Sequence, residues 1–298
     1  MRLKTKQAER NKHTDFVTSV SWNASNELFS CSDDFKVMKW DINGEHQGTE
    51  VEIETPMTGI SWQPATRGVS EVFAVSMTDG SFKLVNKTGR VEKQVAEAHV
   101  GAITAINWSH DGSTLATSGE DGQVKVWARS GMLRTVLVQQ GRPIYSVSWS
   151  PGSNKILFSS EKTLSIKPMQ AGKTVSWKAH EGCVLACDWN PSNSLIISGG
   201  EDCKYKIWDD FGRNLFTSQA YDYVITSISW SPNGQLFAVG AYNMLKLCDK
   251  TGWTYSITKP ETGSVMNLAW TVDGTICAGA GGNGAVVFGY IVDKQLSW

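Results

Sequence analysis

The chain has 298 residues, of which 41% are hydrophobic, and 28 Lys and Arg stand against 29 Asp and Glu for a net charge of −1. A chain of this size folds to a surface of roughly 12,000 Å² from roughly 47,000 Å² unfolded, so its core needs neither disulfides nor a metal. The balanced charge argues against a general nucleic-acid or membrane-surface binder, and no run of about 18 apolar residues is present to cross a bilayer.

The opening residues 1–13 lack the apolar stretch of a secretory signal. The six cysteines (Cys31, Cys183, Cys187, Cys203, Cys248, Cys277) form no CxxC pair. A reducing intracellular compartment with free thiols is the simplest reading, and the sequons at Asn23, Asn86 and Asn107 then carry no glycan.

From residue 13 onward the chain is a repeat. Seven of its thirteen tryptophans recur at Trp22, Trp62, Trp108, Trp149, Trp189, Trp230 and Trp270, at intervals of 40, 46, 41, 40, 41 and 40. A fixed period of this size decides the architecture before any local reading does. Five residues before each Trp stands an apolar residue: Val17, Met57, Ile103, Ile144, Val184, Ile225, Val265. Two residues before stands another: Val20, Ile60, Ile106, Val147, Cys187, Ile228, Leu268. After the Trp comes a turn such as Ser150-Pro151-Gly152, then a short apolar strand, a tight polar turn and a third strand, as in Leu115-Ala116-Thr117, Glu120-Asp121-Gly122 and Val124-Lys125-Val126-Trp127. A fourth strand alternates in period two, as in Glu50-Val51-Glu52-Ile53-Glu54, which marks a half-exposed strand. The extra length of the second unit is assigned to a loop around Arg67-Gly68-Val69-Ser70. Four strands in each of seven units, with no amphipathic helix, predict an all-β, seven-bladed propeller.

Three units carry a further constellation. His13, His99 and His180 each precede the unit's Trp by nine residues. Asp34, Asp121 and Asp202 each precede a second tryptophan (Trp40, Trp127, Trp208) by six, with a hydroxyl (Ser30, Thr117, Ser198) four residues ahead of the Asp. On these residues nearly the whole chain resembles the WD40-repeat family. The resemblance implies a buried hydrogen-bond chain from indole to hydroxyl to histidine to aspartate. Buried polar groups need partners, and a complete network fixes one packing of a blade. In the other four units the histidine position holds Ile53, Gln140, Tyr221 or Glu261, so those blades rely on packing or on substitutes. Only three strands are countable in the last unit, and Arg2-Leu3-Lys4-Thr5-Lys6 reads as its missing outer strand, the ring closure usual in the family. The expected organisation is a single domain with blades near 13–55, 56–97, 98–139, 140–179, 180–219, 220–260 and 261–292 plus 2–8.

Several motifs weigh little. Gly279-Ala280-Gly281-Gly282-Asn283-Gly284 fits G-x-G-x-x-G, but a strand run, Val286-Val287-Phe288, follows where a nucleotide site needs a helix. Gly172-Lys173-Thr174 lacks the upstream glycine of a P-loop. His46 and His110 are placed in turns, away from any ligand at metal spacing, and Cys183 and Cys187 read as small hydrophobes of a blade-five strand. No nucleophile motif stands out, so no enzyme, cofactor or metal is expected. The basic start (Arg2, Lys4, Lys6, Arg10, Lys12 against Glu9) reads as a lysine-guarded edge.

One face is more informative. In a propeller the turns at the aspartate position and the loops entering the inner strands gather around the central channel. Just before the turn position stand Asp33, Glu120, Glu161, Glu201 and Tyr242. At the loops and inner strands stand Phe16, Tyr145, Leu185 and Met266. These nine residues are the candidate partner-binding set: acids that steer encounter around apolar anchors that hold. None belongs to a hydrogen-bond chain, so changing Glu120 and Glu201 is expected to spare the fold. The partner expected is a folded domain or helix with a basic, partly apolar surface, not a nucleic acid, an inserted membrane or a small-molecule substrate.

Segments outside the generic repeat carry a closer resemblance: Asp121-Gly122-Gln123-Val124-Lys125-Val126-Trp127 with Ser130-Gly131-Met132-Leu133-Arg134, Gln139-Gln140-Gly141, Glu201-Asp202-Cys203-Lys204-Tyr205-Lys206-Ile207-Trp208-Asp209, Leu247-Cys248-Asp249-Lys250-Thr251-Gly252-Trp253, and the opening Met1-Arg2-Leu3-Lys4. They resemble the N-terminal propeller of a WD-repeat subunit of intraflagellar transport complex B. That resemblance implies a non-catalytic scaffold needed for cilium or flagellum assembly, with other subunits of the complex as partners. It implies residence in the cilium or flagellum, basal body and cytoplasm, and a chain that is a fragment of a longer protein, as an ending at Gln295-Leu296-Ser297-Trp298 would suit. The alternatives are a peptide-reading adaptor such as a ubiquitin-ligase substrate receptor, expected to carry a separate adaptor-binding segment, and a propeller enzyme with an unrecognised site.

Overall fold

A computed structural model describes residues 1–8, 12–65 and 71–293. The loop expected at Arg67-Gly68-Val69-Ser70, Glu9 and Arg10 of the basic start, and the ending Gln295–Trp298 lie outside the described residues. Among the described residues there are twenty-eight strands and no helix, arranged as seven four-stranded antiparallel sheets. Six sheets are consecutive meanders, running from an inner strand such as Val17–Trp22 to an outer one such as His46–Glu52. The seventh is built from both ends of the chain. Arg2–Gln7 pairs antiparallel with Val286–Val292, from Arg2 opposite Val292 to Gln7 opposite Val287. Leu3 of this closing strand is buried with Leu245, Leu268 and Trp270, while Arg2, Lys4 and Lys6 face water.

The two apolar repeat positions explain why the sheets stack. Val17, Met57, Ile103, Ile144, Val184, Ile225 and Val265 are all 0% exposed. The residues two before each Trp are buried as well. They pack between blades: Ile103 and Ile106 of blade three meet Val72, Ala74 and Phe82 of blade two. Burying each such side chain contributes roughly 1.5–3 kcal/mol.

These two positions differ by three residues, which a flat strand cannot place on one face. The inner strands solve this with a bulge. The register slips between Val17 and Ser19, Met57 and Gly59, Ile103 and Ala105, Val184 and Ala186, Ile225 and Ser227, and Val265 and Asn267. The extra residue is left out of the ladder and its side chain is re-aimed. It is Thr18, Thr58, Thr104, Leu185, Thr226 or Met266. Three of these threonines bolt blades together: Thr18 Oγ1 donates to the Met57 carbonyl at 2.8 Å, Thr104 Oγ1 to the Ile144 carbonyl at 2.5 Å and Thr226 Oγ1 to the Val265 carbonyl at 2.6 Å.

The three hydrogen-bond chains have the geometry the repeat implies. In blade one Trp40 Nε1 donates to Ser30 Oγ (2.8 Å), Ser30 lies 2.7 Å from His13 Nε2, and His13 Nδ1 donates to Asp34 Oδ2 (2.8 Å). The same sequence links Trp127, Thr117, His99 and Asp121, and Trp208, Ser198, His180 and Asp202. Burial holds all three imidazoles below their ordinary value, against the pull of the aspartates. For Asp121 and Asp202 burial pushes upward, but the histidine hydrogen bond and backbone N–H groups prevail and leave both carboxyls lowered.

The remaining blades use substitutes that the sequence alone does not reveal. Gln140 Nε2 donates to Ser160 Oγ at 2.8 Å, and Ser160 passes the bond to the Pro143 carbonyl. In blade six, Val239 and Cys248 replace the hydroxyl and the second Trp. There Lys246, only 3% exposed, donates to the Tyr221 hydroxyl, and its ammonium lies 4.7 Å from the ring centroids of both Tyr205 and Tyr221. Ile53 is simply buried. Glu261 uses its backbone N–H, bonded to Asn243 Oδ1. Two smaller expectations need correction. His46 begins an outer strand, with its ring against Trp40, and is not in a turn. Cys183 immediately precedes the strand Val184–Trp189.

Candidate functional site

The seven inner strands enclose a channel of about 400 Å³. The bulged residues line it together with Tyr145, which stands just ahead of the short inner strand Ser146–Trp149 and takes the same place in blade four. Three of the nine candidate residues, Tyr145, Leu185 and Met266, therefore share this lining with Thr18, Thr58, Thr104 and Thr226.

The acids cluster on one side of the mouth. Burial raises the Tyr145 hydroxyl above its ordinary value, and Cys183, Glu161, Glu201 and Glu120 add to the rise. These residues share one electrostatic neighbourhood across blades three to five. Each acid is also tied down locally. Glu120 Oε2 accepts the Ala102 N–H and Glu201 Oε2 accepts the Cys183 N–H, both at 3.0 Å. Glu161, at a positive φ of 48°, pairs with Arg142 at 2.5 Å. Neither Glu120 nor Glu201 belongs to one of the three histidine–aspartate chains, but each carboxylate caps the loop that enters its own inner strand.

The other candidates stand apart from this group and outside the channel lining. Phe16 is 54% exposed and lies beside the Gly282 turn of blade seven. Asp33 donates its N–H to the Phe16 carbonyl, and burial with Asp15 and Asp34 nearby raises its carboxyl. Tyr242, 49% exposed, lies 4.8 Å from the ring of Tyr223, itself 52% exposed. Tyr223 is absent from the sequence-derived set because it falls two residues ahead of the strand Ile225–Trp230, outside the positions compared. An exposed aromatic in the loop before an inner strand, as with Phe16, was the available signal.

The face thus presents an acidic arc around a half-buried tyrosine, with apolar side chains at the channel wall and a separate tyrosine pair. Among the described residues no group of three or more His, Cys, Asp or Glu could hold a metal, and no helix is long and apolar enough to cross a membrane. Burial pushes the Cys31 and Cys187 thiols up to about 12, which leaves them unreactive.

The profile of the family described as WD domain, G-beta repeat matches residues 4–41, 91–128, 172–209 and 212–249. The Intraflagellar transport protein 80 homologs of Mus musculus and Rattus norvegicus are each 48% identical to the chain over its whole length. The chain spans 39% of each of them. Polyadenylation factor subunit 2 of Neurospora crassa is 27% identical over 58% of the chain and is covered over 26% of its own length.

Proposed function

The chain belongs to the WD40 family of β-propellers, and on that premise we propose that it is a non-catalytic scaffold, the propeller of an intraflagellar transport B subunit needed to build cilia or flagella. The observation that carries this reading is the 48% identity, over the full chain, to proteins named for intraflagellar transport. Its partners are other subunits of the particle, and its location is the cilium or flagellum, basal body and cytoplasm. The acidic arc steers a basic partner surface, and Tyr145, Leu185 and Met266 hold apolar groups at the channel mouth.

Crosslinking mass spectrometry on assembled particles tests the assignment. Crosslinks from the channel-mouth loops to a neighbouring transport subunit are expected; recovery of a ubiquitin-ligase adaptor in their place overturns it. Binding kinetics against that neighbour test the site. Glu120→Gln with Glu201→Gln keeps an acceptor for Ala102 and Cys183 while removing charge, and should slow association and flatten its salt dependence. Tyr145→Ala should instead speed dissociation. Unchanged rates in both variants would move the contact to the blade edges or the opposite face.

A further inference from the structure

The outer wall of blades two and three carries the opposite charge to the channel mouth. The two hairpins 82–95 and 123–139 hold seven Lys and Arg and one acid, Glu92, a net +6, although the Lys125 ammonium is held on the Ala98 carbonyl at 2.5 Å and is not part of the exposed wall. With the chain at −1, everything else sums to −1 − 6 = −7. The hairpins form one surface. The turn of blade three rests on the outer strand of blade two, since a Cβ added to Gly131 would stand 2.8 Å from Lys93 Cγ. Arg129 reaches across to Glu92 at 3.8 Å. Arg90 and Lys93 are exposed. Arg134 is exposed too, with one donor on Thr114 Oγ1 and the rest of its fork without a partner among the described residues. Apolar side chains interleave with them: Val91 is 40% exposed, Leu133 44% and Val136 41%.

We propose that this wall docks an acidic segment of a partner protein, laid extended along the outer strand Leu133–Gln139, with carboxylates on Lys93 and Arg134 and apolar groups on Leu133 and Val136. This surface is distinct from the channel mouth and does not depend on which subunit binds there. Leu133–Gln139 is the last strand of its sheet, so one of its edges has no strand partner among the described residues. An extended peptide can use both that edge and the alternating side chains. A lipid headgroup layer or a nucleic-acid backbone could use only the charge. Simple edge protection by charge does not account for the pattern. The outer strands of blades five and six, Asn214–Thr217 and Thr254–Thr258, contain no charged residue.

The test is fluorescence anisotropy on the 298-residue chain. The probes are a labelled peptide of alternating Glu and Val, a peptide of the same composition with its Glu in one block, and phosphatidylserine vesicles as competitor. The alternating peptide should bind more tightly than the block peptide, and the vesicles should not displace it. Lys93→Glu with Arg134→Glu should weaken it about tenfold or more. Leu133→Ser with Val136→Ser should weaken it while leaving the salt dependence unchanged. All four positions are exposed, and an unaltered melting transition confirms that each variant is folded. Equal affinity for the two peptides, displacement by the vesicles, or indifference to the charge reversal would each overturn the proposal.

Discussion

A buried histidine has two ring nitrogens to satisfy, and the three hydrogen-bond chains satisfy both. Asp121 does more than orient His99: its carboxylate also accepts the Val100 and Gln123 N–H groups. Asp121→Ala therefore strands a buried imidazole and two backbone donors, and should cost roughly 1–3 kcal/mol. Lys162→Ala in blade four is the matched control. The Lys162 carbonyl accepts from Ala179 and His180, a backbone role that alanine keeps, and its side chain is exposed. That substitution should change stability by less than about 0.5 kcal/mol. Urea denaturation of both variants checks the pair, and equal losses would mean that the residue alignment of the blades is wrong. These chains were legible because histidine, hydroxyl, aspartate and tryptophan recur at fixed spacing. The Lys246–Tyr221 pair and the Gln140–Ser160 bond were not, because each occurs once and no repeat points to it.

At the scale of the strand, the bulge was written in the sequence and could have been read. Apolar residues five and two before each tryptophan cannot share a face of a regular strand, where the period is two. Their common burial requires one extra residue between them. That inference would have placed Thr18, Thr58, Thr104, Leu185, Thr226 and Met266 on the channel directly, and left Phe16 and Tyr242 to another group. The closing strand was legible for a simpler reason, since the last unit is one strand short. Removing residues 1–8 should expose the edge of Val286–Val292 and the cavity left by Leu3. Amide exchange from Val286 to Tyr290 should then become fast, and the protein should aggregate. Full protection in the truncated chain would mean that residues 1–8 do not close the ring.

Across the whole molecule, acidification acts on groups of opposite sign. The three buried histidines titrate below their ordinary value, so the unfolded chain takes up their protons first as pH falls through about 6.5, and stability falls with it. Asp121 and Asp202, also lowered, push the same way at more acid pH: their contribution is lost as pH falls through their own lowered values. Asp188 opposes them. Burial in the channel wall pushes its carboxyl up to about 6, even though it accepts the Trp230 N–H (2.8 Å) and the Ser148 hydroxyl (2.9 Å). Between about pH 4 and 6 the folded protein therefore holds a proton at Asp188 that the unfolded chain has released. The stabilisation this gives is present at low pH and is lost as pH rises through about 6. In the native protein the two trends partly cancel, which flattens the stability profile across this range. Asp188→Asn keeps an acceptor for one of the two donors and removes the titration. Its urea midpoint should climb more steeply than the native one between about pH 4 and 6, and the two profiles should run parallel above about pH 7. Parallel profiles throughout would mean that Asp188 is already ionised at pH 4, and that Ser148 and the Trp230 N–H outweigh its burial.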